Sequence, residues 1–320
     1  MRSVVSLVAF LLPVLAALPA SAETYPSRPV KLIVPFGAGG PADIYARVLA
    51  QHLGEETKQA FVVEDRPGAG SVIGTDAVAK AAPDGYTLLV MSNTHTTNES
   101  LLPNKPFQLM RDFVPVATVN YSDLVMVVPT SLPVKSVQEF IDLAKKEPGQ
   151  LNYASSGPGT PYHMAGELFK AMASVNVVHI PYKASGEARS AVLAGQVQMM
   201  FDAVTTMMPL AQAGKVRALG TTGATRSALT PDLPTIAEIV PGYEATIWLG
   251  VMAPRGTPKD VIGFLNGAIN KVIELPEVKQ VWLKQGAVPL VKTPEAFDAF
   301  LRQDIEKWAK VVKLSGAAAH

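Results

Sequence analysis

Short apolar, β-branched runs alternate with glycine-bearing loops and amphipathic segments along the chain. In the first unit, residues 30–35 predict a strand, residues 37–40 a loop, and residues 42–53 a helix, because apolar side chains recur there at helical spacing. Pro41 suits the first position of that helix. The pattern of the first unit is therefore strand, loop, helix.

Units of the same kind recur downstream. Further strands are predicted at residues 60–63, 86–91, 124–128, 151–154, 177–180, 197–201, 216–219 and 248–253. Further helices are predicted at residues 71–82, 136–146, 187–193, 207–213, 258–274, 276–285 and 294–314, and another is predicted to begin at Thr160-Pro161. Polar residues 92–98 are predicted to form a loop. This alternation predicts an α/β fold with mostly parallel sheets flanked by helices.

The order of these units predicts two domains. The last three helices lack strands of their own, so we expect them to pack back on the first domain. Domain I is then discontinuous and comprises residues 23–122 plus 245–320, while domain II comprises residues 123–244. The length of 320 residues agrees with two domains.

The first 22 residues predict a secretory signal peptide. Arg2 precedes an apolar run over residues 4–18, and Ala20-Ser21-Ala22 is a small-residue cleavage pattern. We therefore expect cleavage after Ala22 and an exported protein. An uncleaved N-terminal anchor is the weaker alternative, since the run is short for a membrane span.

Composition excludes several kinds of chemistry. The chain has no cysteine, which rules out thiolate metal sites, iron–sulfur clusters, disulfides and a cysteine nucleophile. Its 28 Lys and Arg against 27 Asp and Glu leave a net charge of +1, with 17% charged residues. That balance offers no electrostatic footprint for nucleic acid.

Two strand-to-helix turns, one in each predicted domain, are the main candidate chemistry. They lie at residues 37–40 and 155–159, and Thr160 is a good N-cap residue with proline behind it. Glycines let a backbone approach a ligand, and helix N-termini favour anions. The two turns would face each other across a cleft and suit a small molecule with carboxylates. Such turns also serve simply to connect packed strands and helices.

The same turn permits an alternative function. Residues 37–42 fit the dinucleotide pattern G-x-G-x-x-G/A, and Glu64 follows at roughly the expected distance of about 20 residues. An NAD-dependent oxidoreductase therefore stays a candidate. Pro35 and Phe36 before the first glycine, and Pro41 in the turn, count against it.

Catalytic constellations are otherwise sparse. His95 and His163 lie in or just after the candidate cleft loops, but lone histidines are commonly structural. Ser155 and Ser156 lie outside any G-x-S-x-G elbow and are better interpreted as hydrogen-bond donors. No metal-binding spacing occurs, so neither a metal nor a cofactor is expected.

Four further residues keep two interpretations each. Asp202 ends an apolar strand and could meet a ligand amine or a water, or cap Thr205 and the helix that follows. Asp43 lies in a first helical turn, where the helix dipole alone explains it. Phe36 and Tyr162 could line a pocket or pack domains together.

A series of ordered motifs covers nearly all of the chain after residue 22. They are Tyr25-Pro26-Ser27-Arg28-Pro29, Val34-Pro35-Phe36-Gly37-Ala38-Gly39-Gly40, Glu64-Asp65-Arg66-Pro67-Gly68-Ala69-Gly70, Ala82-Pro83-Asp84-Gly85-Tyr86, Asn152-Tyr153-Ala154-Ser155-Ser156-Gly157, His179-Ile180-Pro181-Tyr182-Lys183 and Ala253-Pro254-Arg255-Gly256-Thr257-Pro258. With them, the sequence resembles the Bug family, the periplasmic substrate-binding proteins of tripartite tricarboxylate transporters.

The resemblance implies a two-domain Venus-flytrap protein of the type II kind that captures a carboxylated solute and delivers it to a membrane permease. It also implies which residues bind. The implied ligand-binding residues are Phe36, Gly37, Ala38, Gly39, Gly40, Asp43, Thr94, His95, Ser155, Ser156, Gly157, Thr160, Tyr162, His163 and Asp202. Family members often carry Ser or Thr where this chain has Pro41-Ala42, so backbone N–H groups must do more of the binding.

The sequence therefore predicts a periplasmic binding protein and not an enzyme. The expected partners are a small carboxylate, aliphatic or aromatic, and the permease subunits of a tripartite tricarboxylate transporter. We expect a monomer that needs no cofactor and binds no nucleic acid.

Overall fold

The computed structural model describes residues 24–227 and 229–315. The predicted signal peptide, at residues 1–22, lies outside the described residues. Within those ranges, no helix combines the length and the apolar character that crossing a membrane requires.

Residues 24–227 and 229–315 form eleven strands and eleven helices, together with short 3₁₀ turns. The strands are β1 (Val30–Val34), β2 (Phe61–Asp65), β3 (Thr87–Ser92), β4 (Phe113–Ser122), β5 (Leu124–Pro129), β6 (Asn152–Ser155), β7 (Val178–Pro181), β8 (Met199–Ala203), β9 (Val216–Thr221), β10 (Ile247–Pro254) and β11 (Ala287–Pro289). The helices are α1 (Pro41–Thr57), α2 (Val72–Ala79), α3 (Asn93–Leu101), α4 (Leu109–Asp112), α5 (Val137–Lys146), α6 (Pro161–Ala173), α7 (Ser185–Leu193), α8 (Val204–Gln212), α9 (Lys259–Ile273), α10 (Pro276–Lys284) and α11 (Pro294–Ser315).

The strands form two sheets, which confirms the predicted α/β fold class. The first sheet has the order β11-β4-β10-β3-β1-β2, and the second has the order β7-β6-β8-β5-β9. Both sheets are mixed, because β10 and β11 run against their neighbours in the first and β5 does so in the second. Two of these antiparallel strands, β5 and β10, are the first strands that the chain forms after it passes from one sheet to the other. A single residue, Asp123, separates β4 from β5 at the first crossing.

Apolar cores lie on both faces of each sheet. Leu32 and Leu88 pack with α1 and α9 on one face of the first sheet, while Ile33 and Leu89 pack with α11 on the other. The period-two alternation of a strand sends neighbouring residues to opposite faces. Because both faces are covered by helices, most residues of β1 and β3 are apolar, although Lys31 of β1 is exposed.

The predicted loop at residues 92–98 is wrong, because this segment begins helix α3. All residues of helix α3 except Leu101 are polar, so the helix shows no apolar periodicity in the sequence. Its polar side chains are hydrogen-bonded within the fold instead. Thr96 donates to Asp304 of α11 over 2.6 Å, and Ser92 and His95 form a reciprocal capping box at the start of α3. Internal hydrogen bonding therefore replaces hydrophobic patterning as the reason for this helix.

The C-terminal quarter also differs from the prediction. Strand β11 follows α10 and pairs with β4, so this quarter does contribute a second strand. Helix α11 contacts both sheets, because Phe297 and Leu301 lie in a core of the first sheet and Trp308 and Val311 in a core of the second. One long helix therefore connects the two halves of the molecule.

The contact between α11 and β10 provides a stability prediction. A Cβ at Gly250 would overlap the ring atom Cζ of the fully buried Phe297 and lie 2.8 Å from Cε1. We therefore expect Gly250→Ala to lower the free energy of unfolding by about 1–3 kcal/mol, measured by urea denaturation. Gly263→Ala is the matched control, because that exposed helical glycine has no atom within 4 Å of its added Cβ. It should raise the free energy by about 0.5–1 kcal/mol. Equal effects at the two positions would contradict the packing described here.

Candidate functional site

A large cavity lies between the two sheets. Its volume is about 850 Å³, and both sides of the molecule contribute to its wall. The side of the first sheet contributes Phe36, Gly37, Gly40, Pro41, Ala42, Ser71, Ser92, Thr94, Asn98, Asn120, Ile247 and Leu249, among others. The side of the second sheet contributes Ser156, Pro158, Gly159, Thr160, Pro161, Tyr162, Ser185, Arg189 and residues 203–206.

The turn after β1 brings the start of α1 to the cavity. Gly39 adopts the left-handed conformation with φ of 75°, and its N–H donates to the Asp43 carboxylate over 2.7 Å. Asp43 is also paired with Arg47 at 2.6 Å, so one buried carboxylate fixes both the turn and the first turn of α1. Pro41 has no N–H to offer. The amide of Ala42, the second residue of α1, has no hydrogen-bond partner among the described residues.

The turn after β6 repeats this arrangement on the other side. Thr160 caps α6 by accepting a hydrogen bond from the N–H of His163, and Pro161 is the first helical residue. The next amide, that of Tyr162, has no hydrogen-bond partner among the described residues. The two sides of the cavity therefore each present the start of a helix with proline first and an unpaired amide second.

These helix starts define the chemistry of the cavity. An unpaired N–H at a helix N-terminus lies at the positive end of the helix dipole and favours an anion. Helices α1 and α6 have 17 and 13 residues, and the two starts line one cavity from opposite sides. The arrangement can hold acidic groups by backbone donors, since neither helix start places a cationic side chain in the cavity wall.

The structure brings some of the predicted site residues to the cavity wall and others behind it. The lining residues are Phe36, Gly37, Gly40, Thr94, Ser156, Thr160 and Tyr162. The predicted residues that do not line the cavity are Ala38, Gly39 and Gly157, which lie in the turns, and the buried Asp43, His95, Ser155, His163 and Asp202. The glycines, serine and acids of the second group support the turns through hydrogen bonds.

His95 is a buried structural residue of α3. Its Nδ1 accepts from the N–H of Ser92 over 3.2 Å, and its Nε2 lies 3.0 Å from the Thr75 hydroxyl. Its ring packs edge-on against Phe36, which lines the cavity. Burial lowers its pKa to about 4, so the ring is neutral in the folded protein. His95 therefore supports the cavity wall from behind.

A buried polar network supports the second turn. Ser155 Oγ lies 2.6 Å from His179 Nε2 and accepts from the N–H of Gly157 over 3.1 Å. His163 Nδ1 accepts from the N–H of Gly159 over 3.0 Å. The rings of His163 and His179 are 4.1 Å apart between centroids. Burial lowers the pKa of each histidine to about 4, and their neutral rings can therefore act as hydrogen-bond acceptors for this turn.

Asp202 is fully buried at the end of β8 and pairs with Arg189. Arg189 Nε lies 2.5 Å from Asp202 Oδ2, and Nη2 lies 3.2 Å from Oδ1. Asp202 also accepts from the N–H of Ala203, but its side chain does not cap α8. Of the two interpretations of Asp202, the capping of Thr205 has no hydrogen bond to support it among the described residues, and the carboxylate instead pairs with an arginine that the sequence did not suggest.

Two lining residues absent from the sequence-based site carry charge. Arg189 lies on α7, where a single arginine in an amphipathic helix gives no signal of a site. Asp123 lies between β4 and β5, and burial, with Glu244 nearby, raises its pKa to about 6 against a hydrogen bond from Ser227. The sequence could have suggested Asp123, because it lies where the chain passes between the predicted domains and such a position is expected at the edge of an interdomain cleft.

The turn after β2 forms a further part of the wall. Ala69, Gly70 and Ser71 have φ values of 47°, 62° and 80°, a left-handed run that is costly for the two residues with side chains. Asn98 of α3 stabilises it by donating to the Gly70 carbonyl over 2.8 Å. Strained backbone of this kind concentrates at functional sites.

The geometry gives little support to a dinucleotide site. Glu64 of β2 accepts from Arg66 Nε over 2.7 Å and does not line the cavity. The carboxylate that would bind a ribose in the dinucleotide alternative is thus paired with an arginine elsewhere.

The fold and this cavity define a solute-binding protein of the Venus-flytrap kind. The family described as the tripartite tricarboxylate transporter family receptor, TctC, matches residues 45–317. The chain is 39% identical over 304 residues to BugT of Bordetella pertussis strain Tohama I, covering 94% of this chain and 93% of BugT. It therefore belongs to the TctC family, and the resemblance to Bug proteins is confirmed. The members of this family are solute-binding receptors.

Solved structures of similar proteins contain carboxylates. A protein of R. palustris with adipate is 36% identical, with a TM-score of 0.79, and the match covers 92% of this chain and 99% of that one. MatC from Rhodopseudomonas palustris with bound malate is 30% identical, with a TM-score of 0.75, and the match covers 90% of this chain and 100% of MatC. These similarities confirm the predicted fold.

Two buried histidines, His95 and His163, and the half-buried His179 predict how stability depends on pH. Their ordinary pKa of 6.5 is lowered to about 4 in the folded protein. Between these values each of these histidines is more protonated in the unfolded chain than in the folded chain, so the contribution of the three to the free energy of unfolding should fall as the pH falls from 6.5 to 4. Each histidine contributes a slope of up to about 1.4 kcal/mol per pH unit.

Urea denaturation at several pH values tests this dependence with His95→Gln. Glutamine is a usual residue at this capping-box position, so α3 should keep its start. Between pH 6.5 and 4, the free energy of unfolding of the variant should change less steeply with pH than that of the wild type, because the contribution of one histidine is lost. An unchanged slope would show that His95 does not contribute to the acid sensitivity.

Proposed function

We propose that the protein captures a small carboxylate in the cavity between the two sheets and delivers it to a tripartite tricarboxylate transporter. The observation that carries the proposal is the pair of proline-first helix starts. The amides of Ala42 and Tyr162, one from each side, lack partners within the described chain and belong to residues that line the cavity. One acidic group of a ligand, placed between the two helix starts, would satisfy both.

The rest of the cavity wall suits a carbon skeleton between acidic groups. The apolar residues that line the cavity on the side of the first sheet are Phe36, Leu101, Leu102, Ile247 and Leu249. A cavity of this kind combines apolar walls with a few polar groups that fix the orientation of the ligand. Adipate and malate in the two similar structures are in keeping with this chemistry.

We further propose that ligand binding closes the cavity. Residues 23–122 plus 245–320 would form one domain and residues 123–244 the other, with the crossings at Asp123 and near residue 245 as hinges. Contacts that both domains make to one ligand exist only in the closed form, so the ligand favours closure. The permease can then distinguish the loaded receptor from the empty one.

We propose that this binding takes place in the periplasm. The signal-peptide pattern of residues 1–22 and the family assignment support export of the mature chain, which we propose acts as a monomer. The permease subunits of the transporter are the proposed membrane partner.

A thermal-shift screen tests the function. The mature protein, unfolded and refolded to remove bound ligand, is mixed with aliphatic and aromatic mono-, di- and tricarboxylates and with NAD. A ligand that binds only the native state raises the melting temperature. We expect a shift with one class of carboxylate and none with NAD. A shift with NAD alone would overturn the proposal in favour of the oxidoreductase alternative.

The helix start at α1 gives a sharper prediction. Ala42→Asp places a carboxylate in the first turn, which suits the helix dipole but repels an acidic ligand. We expect the variant to lose carboxylate binding by at least tenfold in calorimetric titration, with little change in its melting temperature.

Ala296→Asp is the matched control for this experiment. Ala296 is exposed in the first turn of α11 and does not line the cavity, so the same substitution should leave binding unchanged. If Ala42→Asp binds as tightly as the control, the start of α1 is not part of the ligand site.

A further inference from the structure

Arg189 of α7 is a cationic residue of the cavity wall. Its Nε and Nη2 bind Asp202, and 28% of its side chain is exposed. Nη1 has no hydrogen-bond partner among the described residues, so the end of the guanidinium formed by Nη1 and Nη2 keeps N–H groups available. That end has the fork geometry that binds a carboxylate through two parallel hydrogen bonds.

Asp202 fixes this guanidinium in place. The carboxylate is fully buried and also accepts from the N–H of Ala203. It thereby holds the arginine in one orientation before any ligand arrives, which reduces the ordering cost of binding. Because the pair is neutral as a whole, the arginine acts on a ligand mainly through directed hydrogen bonds.

Arg189 is also the only cation among the described residues of the cavity wall. The other charged residue of that wall, Asp123, is acidic and lies at the crossing between β4 and β5. An acidic group of a ligand would therefore be attracted to the Arg189 side and repelled from the Asp123 side when Asp123 is ionised.

We propose that Arg189 binds a second carboxylate of the ligand and makes the protein select dicarboxylates over monocarboxylates. This inference rests on the proposed function. The helix starts offer neutral backbone donors to an acid group, whereas Arg189 offers a charged fork that only a ligand with a further acid group can use. Selectivity for the second acid group then comes from one side chain of α7.

Calorimetric titration of matched acid pairs tests the inference. The pairs are succinate and butyrate, adipate and hexanoate, and terephthalate and benzoate, and the pair that binds the wild type most tightly is used. Arg189→Gln should weaken binding of the dicarboxylate about tenfold to a hundredfold, as expected for a lost charged hydrogen bond. It should change binding of the monocarboxylate by less than about twofold.

Two further variants complete the design. Arg189→Gln leaves Asp202 buried without its partner, which can destabilise the fold, so the double variant Arg189→Gln/Asp202→Asn removes that charge as well. It should show the same selective loss. Arg226→Gln is the control, because this exposed arginine pairs with Glu238 away from the cavity and should leave both affinities unchanged.

The outcomes separate this inference from the proposed function. Equal losses for both acids in the double variant, or an unchanged affinity for the dicarboxylate, would overturn the role of Arg189 while the carboxylate receptor stands. A wild-type protein that binds no carboxylate of the screen would instead contradict the proposed function.

Discussion

Everything in this structure that bears on function depends on two helices that begin with proline at the wall of one cavity. A helix leaves its first amides without internal partners, and proline removes one of them. At α1 and α6 the unpaired amides of Ala42 and Tyr162 are the result. The two sheets bring these starts to opposite sides of the same space, which is where we propose that an acidic molecule binds.

Much of the buried polar chemistry of the protein serves to hold these two starts. Asp43 fixes the turn before α1, and the Ser155, His163 and His179 network fixes the turn before α6. The histidines do so as neutral rings, which links the shape of the site to pH. The stability of the protein and the geometry of its proposed site therefore depend on the same hydrogen bonds.

Sequence patterns predicted the parts of the structure in which local rules decide the outcome. Glycine, proline and the capping residue Thr160 marked both turns, and the apolar runs marked nine of the eleven described strands, with β4 and β11 missed. Helix α3 was missed because its order comes from hydrogen bonds to distant residues such as Asp304, and strand β11 because three residues give no periodicity.

The candidate site shows the same division. The turns could be located from the sequence, but the pair of Arg189 and Asp202 joins a helix to the next strand across 13 residues and follows no local pattern. Likewise, only tertiary structure shows that His95 and His163 stand behind the wall and not in it. Which side chains face a cavity is decided by packing between elements.

The central claim is that the starts of α1 and α6 bind one ligand together. The most direct measurement is NMR of protein labelled with ¹⁵N-alanine and ¹⁵N-tyrosine, titrated with the carboxylate that gives the largest thermal shift. The account predicts that the amide signals of Ala42 and Tyr162 both move downfield and report the same dissociation constant. Movement of only one of them, or of neither, would contradict it.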